Sequence, residues 1–217
     1  IVYKLSLQAV MVLVLSSQQL SALSAHAERV YPEECCGLMV GEMRPQSEQA
    51  KPETSRQQQS VERPIKQLVK QVVQLFPLVN NWTPNWTLNE GTPGAETTKA
   101  RTEARTEAPT ETSTEKSLTK ARRYWIDPKD MLRVQKQARS QGLNIIGVYH
   151  SHPDQVAEPS ECDRAGAWPA YAYTIVSVCE GKAVDVRNWA LDSKHQFQLE
   201  PIKISPSAAK DRMPVSA

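Results

Sequence analysis

The sequence predicts an α+β fold, a mixed β-sheet packed against helices, and three observations carry that expectation. Apolar runs of strand length, Leu68–Val79, Ile145–Tyr149 and Tyr173–Val178, are interspersed with two stretches of helical periodicity over 18–30 and 128–140. Their order is mixed, with no regular strand-helix alternation, which suggests a sheet with helices packed against it. Explicit helix starts and turn residues stand between them.

Taken in order, the elements read as strand, helix, strand, strand, strand, helix, strand, short helix, strand, strand. The apolar stretch from Leu5 to Leu15 supplies the first strand. Ser17 is placed to cap a helix over 18–30, with Leu20, Leu23 and Ala27 on one face. That helix ends near Val30 or Glu34, and Cys36–Val40 forms the next strand. Leu68–Val79 reads as a core strand whose Pro77 suits a sheet edge. Asp127-Pro128-Lys129-Asp130 is a helix start, with an N-cap, a proline at the first helical position and an acid in the first turn. The helix runs to about Ser140 and stops before Gly142. Ile145–Tyr149 then forms a buried strand that runs into His150. Tyr173–Val178 and Ala183–Leu191 pair through a turn at Glu180-Gly181-Lys182.

Two stretches do not read as foldable. Residues 43–67 are rich in Gln, Ser, Glu, Pro and Arg. Residues 83–121 carry Thr-Glu pairs beginning at 102, 106, 110 and 114, a short tandem repeat. Such composition buries too little apolar surface to offset chain entropy, so both are expected to be disordered inserts. The expected organisation is one domain in three pieces, 1–42, 68–82 and 122–200, with a flexible tail over 201–217. The pieces total roughly 140 residues, an ordinary domain size.

Composition excludes several classes. Among 217 residues, 26 Lys and Arg against 24 Asp and Glu give a net charge of +2, with no basic stripe to suggest nucleic acid. The apolar N-terminal stretch is too short for a membrane span, which needs roughly 20 residues. Lys4, that stretch and Ala25-His26-Ala27 imitate a secretory signal, but cleavage there would remove the first strand and helix, so the cytoplasm is the expected compartment. Cys35, Cys36, Cys162 and Cys179 suit a reducing environment and are expected as small buried apolar residues, with Cys162 also open to approach a metal or be oxidised. His26 and His195 are lone histidines without a partner motif, and Trp125, Trp168 and Trp189 are expected in the core or lining a groove. The Asn-Trp-Thr triplets at Asn81 and Asn85 match a glycosylation pattern that has no meaning in a cytoplasm.

The chemistry is concentrated in His150-Ser151-His152, then seven residues, then Ser160-Glu161-Cys162-Asp163. At a strand end, residues i and i+2 point to the same face, so both imidazoles can reach one ion. Ser160 reads as the N-cap of a short helix, with Asp163 on the same side of its first turn. An isolated HxH is commonly a polar pair at a loop mouth. The added SxxD supplies a third ligand from a second rigid element. Two histidine nitrogens and a carboxylate oxygen leave the fourth position of a tetrahedral zinc open, as in catalytic rather than structural sites. Hydrolysis also needs a general base, for which Glu34 is the candidate, 116 positions (150 − 34) before the first histidine.

With these residues in place, the chain resembles the JAMM, or MPN-plus, zinc metallopeptidases, whose pattern is a distant glutamate followed by HxH, seven residues and SxxD. Every position matches. The resemblance covers roughly Leu13–Gly41, Leu68–Trp82 and Arg123–Glu200, and the Pro32-Glu33-Glu34-Cys35-Cys36-Gly37 and Tyr149-His150-Ser151-His152-Pro153-Asp154 wording is similar to a small bacterial branch. It implies a cytidine-deaminase-like α+β fold and one Zn2+ held by His150, His152 and Asp163. It also implies Glu34 as the acid/base, chosen over Glu33 because the family base stands three before a glycine, here Gly37, and Ser160 as a donor to the oxyanion. The implied partner is a ubiquitin-like or sulfur-carrier protein with a Gly-Gly tail, cut at a peptide or isopeptide bond, in some members with release of cysteine. The alternative is a non-catalytic scaffold of the kind formed by relatives that lose the ligands, against which all five positions here are intact. The oligomeric state has no signature in the sequence.

Overall fold

The protein is described by a computed structural model over residues 11–45, 68–83 and 119–206. Its elements are β1 (Met11–Ser16), α1 (Ser17–Val30), β2 (Cys36–Pro45), β3 (Leu68–Leu78), α2 (Pro128–Ser140), β4 (Asn144–Pro153), α3 (Glu161–Ala165), β5 (Ala172–Cys179), β6 (Lys182–Leu191), β7 (Phe197–Leu199) and β8 (Ile202–Ser205). Most of the two expected inserts, most of the expected tail and the second Asn-Trp-Thr triplet lie outside the described residues.

Sequence signals set the helix ends. Ser16, one residue before the expected cap, closes a capping box with Gln19: its hydroxyl accepts from Gln19 N at 3.1 Å, and Gln19 Oε1 accepts from Ser16 N at 2.9 Å. Leu23, His26 and Ala27 then face inward, whereas Leu20 is only half-buried. Asp127 caps α2 through Lys129 N at 2.8 Å, as its position predicts. Gly142 leaves the helix at φ +72, where a side chain would be strained. The β5–β6 hairpin turns through Glu180 and Gly181, both at positive φ.

The strands form one mixed sheet in the order β7-β6-β5-β4-β2-β3-β1-β8. Parallel pairs join β4 to β5, β1 to β3 and β1 to β8; the others are antiparallel. Both faces are covered. On one, α1 lays Leu23 and Ala27 over Leu13, Leu15, Met39 and Val176; on the other, α2 lays Val134 and Ala138 over Leu38, Val40, Phe76 and Val148. Alternation along β2 sends Met39 to one core and its neighbours Leu38 and Val40 to the other, so this strand is buried on both sides.

Strands β7 and β8 are the two edges, yet only Glu200 and Pro201 separate them in the chain, so the sheet curls until its edges are joined. Polar groups hold the joint. Lys70 Nζ, 0% exposed in β3, lies 3.2 Å from Glu200, whose carboxylate also accepts from Asn188 Nδ2 at 2.7 Å. Thr174 Oγ1 donates to Asn188 Oδ1 at 3.0 Å. Three strands, β3, β5 and β6, and the joint therefore share one buried hydrogen-bond network.

Several expectations need correction. No strand stands between β3 and α2 among the described residues; 119–127 is turn and irregular chain that packs Tyr124 and Ile126 against the α2-side core. The expected tail begins with β8, which pairs Leu13–Ser16 with Ile202–Ser205. Strand β3 is interior rather than an edge, but β1 pairs it only over Leu68–Gln71, so Pro77 falls where one side of the strand is free of β1. Cys162 and Cys179 are exposed, unlike the buried Cys35 and Cys36, because they sit on a five-residue helix and at a hairpin end. Of the two places expected for Trp168, core or groove lining, its 54% exposure excludes the core; its ring is tilted 41° to that of Tyr171 on the chain leaving α3.

Candidate metal centre

The centre is built at the C-terminal end of β4, where Cys36 of β2 pairs with His150. The ladder runs one residue further through paired bonds: Cys35 N donates to Ser151 Oγ at 2.8 Å, and Ser151 N donates to Cys35 O at 3.2 Å. The residue after Glu34 is thus bonded to the residue between the two histidines, a juxtaposition across 116 positions that sequence spacing cannot reveal.

His150, His152 and Asp163 each offer one ligand atom, all within 4.8 Å of one another. His150 Nε2 lies 3.1 Å from His152 Nε2 and 3.2 Å from Asp163 Oδ1, and His152 Nε2 lies 3.6 Å from Asp163 Oδ2. Ligand atoms on a zinc tetrahedron with bonds of about 2.0 Å are separated by about 3.3 Å, so these spacings suit such an ion. His152 Nδ1 faces Val156 O at 3.0 Å, a contact that places the proton on Nδ1 and leaves the Nε2 lone pair toward the centre. Burial lowers the pKa of His150, keeping its ring in the neutral, ligating form, although Asp163 opposes the shift. Burial works against ionised Asp163, but its neighbours His150, His152 and Ser160 prevail and hold the carboxyl well below the ordinary range. The donor set therefore fits a divalent cation.

Asp163 is delivered by α3. Ser160 caps this helix by accepting from Asp163 N at 3.2 Å, and Asp163 Oδ2 in return accepts from Ser160 N and Ser160 Oγ, both at 2.6 Å. One capping box thus shapes both the SxxD helix and the carboxylate's direction.

Glu34 is 3% exposed. Burial, reinforced by the Asp163 charge, raises its pKa well above the usual carboxyl value, against opposing pulls from Arg123 and Arg122. Its main chain is fixed at both ends: Glu34 N donates to Lys120 O at 2.8 Å and Glu34 O accepts from Asn80 Nδ2 at 3.0 Å.

Of the residues named from the sequence, the structure brings His150, His152 and Asp163 into one cluster with Ser160 bonded to it, and buries Glu34 where the Asp163 charge acts on its carboxyl. His26 is not part of the centre; it is buried on the opposite side of β4 with Nδ1 3.0 Å from Tyr149 Oη. His195 bonds Arg164 O at 3.0 Å on the far side of α3. Two contributors have no sequence signature. Tyr124 stacks on His150 with ring centroids 4.5 Å apart, and Asn80 ties together the chain around Glu34 and Tyr124. Only the position of Asn80 directly after an apolar strand hints that its amide is enclosed.

The described fold is similar to a solution structure of a protein from Desulfitobacterium hafniense, with a TM-score of 0.53 and 20% identity over 92% of this chain and 95% of that one. A solution structure from Salinibacter ruber aligns at a TM-score of 0.48 and 25% identity, covering 90% and 92% of the two chains. A desampylase of Haloferax volcanii is 40% identical over 55 residues, a stretch that covers 25% of this chain and 40% of that protein. The whole span from β1's end to the close of β6, residues 16–192, matches the family described as prokaryotic homologs of the JAB domain, and the chain belongs to that family.

Proposed function

We propose that this protein is a zinc-dependent metallopeptidase that hydrolyses the peptide or isopeptide bond after the Gly-Gly tail of a ubiquitin-like or sulfur-carrier protein. The observation that carries the reading is the three-ligand cluster of His150, His152 and Asp163; a buried carboxyl whose pKa is raised by burial and by the Asp163 charge, Glu34, supports it as the base. Zinc held there would supply a Lewis acid that polarises the scissile carbonyl and lowers the pKa of a nucleophilic water to about 7.

The chain's own residues supply the proton chemistry. Glu34 takes the proton of the attacking water and returns it to the leaving amine nitrogen; a carboxyl whose pKa is raised by burial is a stronger base than an exposed one, which suits that double duty. Ser160 Oγ, now directed at Asp163, would turn to donate to the carbonyl oxygen as negative charge develops, an effect worth about 3 kcal/mol for a preorganised donor. The similarity to a desampylase supports a ubiquitin-like modifier as substrate. Its extended tail would be read through main-chain bonds, with release of cysteine where cysteine is the last residue. Four free thiols suit a cytoplasmic setting, and among the described residues no helix is long and apolar enough to cross a membrane.

The test is to measure bound zinc, then assay two substrates with and without chelator: a sulfur-carrier protein extended by cysteine and a ubiquitin-like conjugate joined through lysine. Chelator-sensitive cleavage of either supports the reading. A protein that retains one zinc and cleaves neither is the scaffold alternative.

A further inference from the structure

We infer that Asn80 is a positioning residue whose carboxamide holds the main chains of Glu34 and of both neighbours of Tyr124, so that the base and the ring stacked on His150 keep one geometry relative to the metal centre. The inference rests on the hydrolytic reading above for its kinetic consequence.

Asn80 is 6% exposed and uses all four of its side-chain hydrogen-bonding positions. Nδ2 donates to Glu34 O at 3.0 Å and to Arg123 O at 2.8 Å, while Oδ1 accepts from Trp82 N at 3.0 Å and Trp125 N at 3.1 Å. The amide orientation follows from these partners, since turning it over would set NH2 against two N–H groups and oxygen against two carbonyls. Three separate segments meet at this one group. The approach to β2 carries Glu34, the chain after β3 carries Asn80 itself, and 119–127 carries Tyr124.

The third segment matters because Tyr124 stacks on His150 at an interplanar angle of 26°, and Asn80 binds the residue on either side of that tyrosine. The same segment reaches Glu34 a second way, through Lys120 O, and Asn81 N donates to Trp125 O at 3.0 Å. Arg123, held at its carbonyl by Asn80, extends its guanidinium to Cys162 Sγ on α3, next to Asp163. Without the carboxamide, the base and His150 would lose their shared reference point, while the ligand atoms would remain on β4 and α3. The consequence falls on orientation at the reacting centre, where a displacement of about 1 Å can cost about 100-fold in rate.

The experiment uses the full chain loaded with zinc and compares Asn80→Ala and Asn80→Asp with the wild type. Asn80→Asp keeps the acceptor toward Trp82 and Trp125 but opposes oxygen to Glu34 O and Arg123 O. We expect both variants to retain one zinc, to keep KM within about twofold, and to lose about 100-fold in kcat. The His150 ring resonances should shift while those of His26 and His195 stay. Asn188→Asp, which disturbs a comparable buried network at the sheet joint, should lower the thermal midpoint with kcat unchanged. A kcat per zinc-loaded molecule within twofold of wild type, or an unmoved His150 signal, would overturn the inference. Should the alanine variant not fold, the near-isosteric aspartate variant decides. If the wild type cleaves neither substrate, the hydrolytic reading fails, and the ring resonances alone decide the role of Asn80.

Discussion

Glu34 bears the cost of burying a carboxyl, which the Arg123 and Arg122 charges offset only in part. Its folded pKa lies above its unfolded value, so between about pH 4.5 and the folded pKa the native state binds more protons than the unfolded chain, and stability falls as pH rises through that window. Glu34→Gln should therefore raise the melting temperature of the zinc-free protein at pH 7 to 8, by about 2–4 °C for each kcal/mol relieved, and the gain should vanish below about pH 4.5. The same variant should keep its zinc and lose about 100-fold or more in turnover; normal turnover would remove Glu34 from the mechanism. His26 shifts the other way: burial, then the nearby Arg29 charge, lowers its pKa from 6.5 to about 4. The unfolded chain then binds more protons between those values, so stability is full above about pH 6.5 and declines toward pH 4, by about 3 kcal/mol at most. A urea series across that range should show the decline, and His26→Gln should flatten it. The histidines and Asp163 were legible because i, i+2 and i, i+3 spacings on single elements encode a shared face. Asn80 was not, because its bonds reach main-chain atoms 46 and 43 positions away and any backbone presents the same carbonyls.

The pairing of β2 with β4 converts these residues into a centre, and it depends on a close approach. A Cβ at Gly37 would lie 2.4 Å from the Tyr149 ring and 2.5 Å from Phe76 O, between two rigid neighbours. Gly37→Ala should thus cost about 1–3 kcal/mol and, by pushing β2 from β4 next to the Cys36–His150 pair, also weaken zinc retention. Parallel chemical-denaturation and zinc-competition measurements would separate the two effects; full stability with unchanged metal affinity would show that the strands accommodate the methyl. Helix α2 was readable from its ends, because Asp127, Pro128 and Gly142 each meet a local backbone requirement. Strands β7 and β8 were not, because three and four residues are too short for a periodicity, and their pairing is imposed by a sheet that closes on itself.

Closure of the sheet relies on a charge pair that tolerates little. Removing one partner of a buried pair typically costs about 3–5 kcal/mol, whereas exchanging both for apolar groups of similar volume is often neutral. Glu200→Ala should accordingly destabilise the whole molecule by that amount, with Lys70 left 0% exposed and unmatched, while Lys70→Met with Glu200→Leu should recover most of the loss. Equal stabilities for the single and double variants would argue that the joint is held by other contacts. The α+β class was legible because it depends on local patterns, but the joining of the outermost strands was not. It rests on contacts such as Leu13 with Ile202, between elements that are individually unremarkable. That same contact has a mechanical meaning. Since β1 and β8 run parallel, tension applied at Met11 and Ser205 would draw them along their length in opposite directions. All the bonds of the pair would then be loaded at once instead of opening singly, so the sheet should resist being drawn apart at these two points far better than the four residues of β8 suggest.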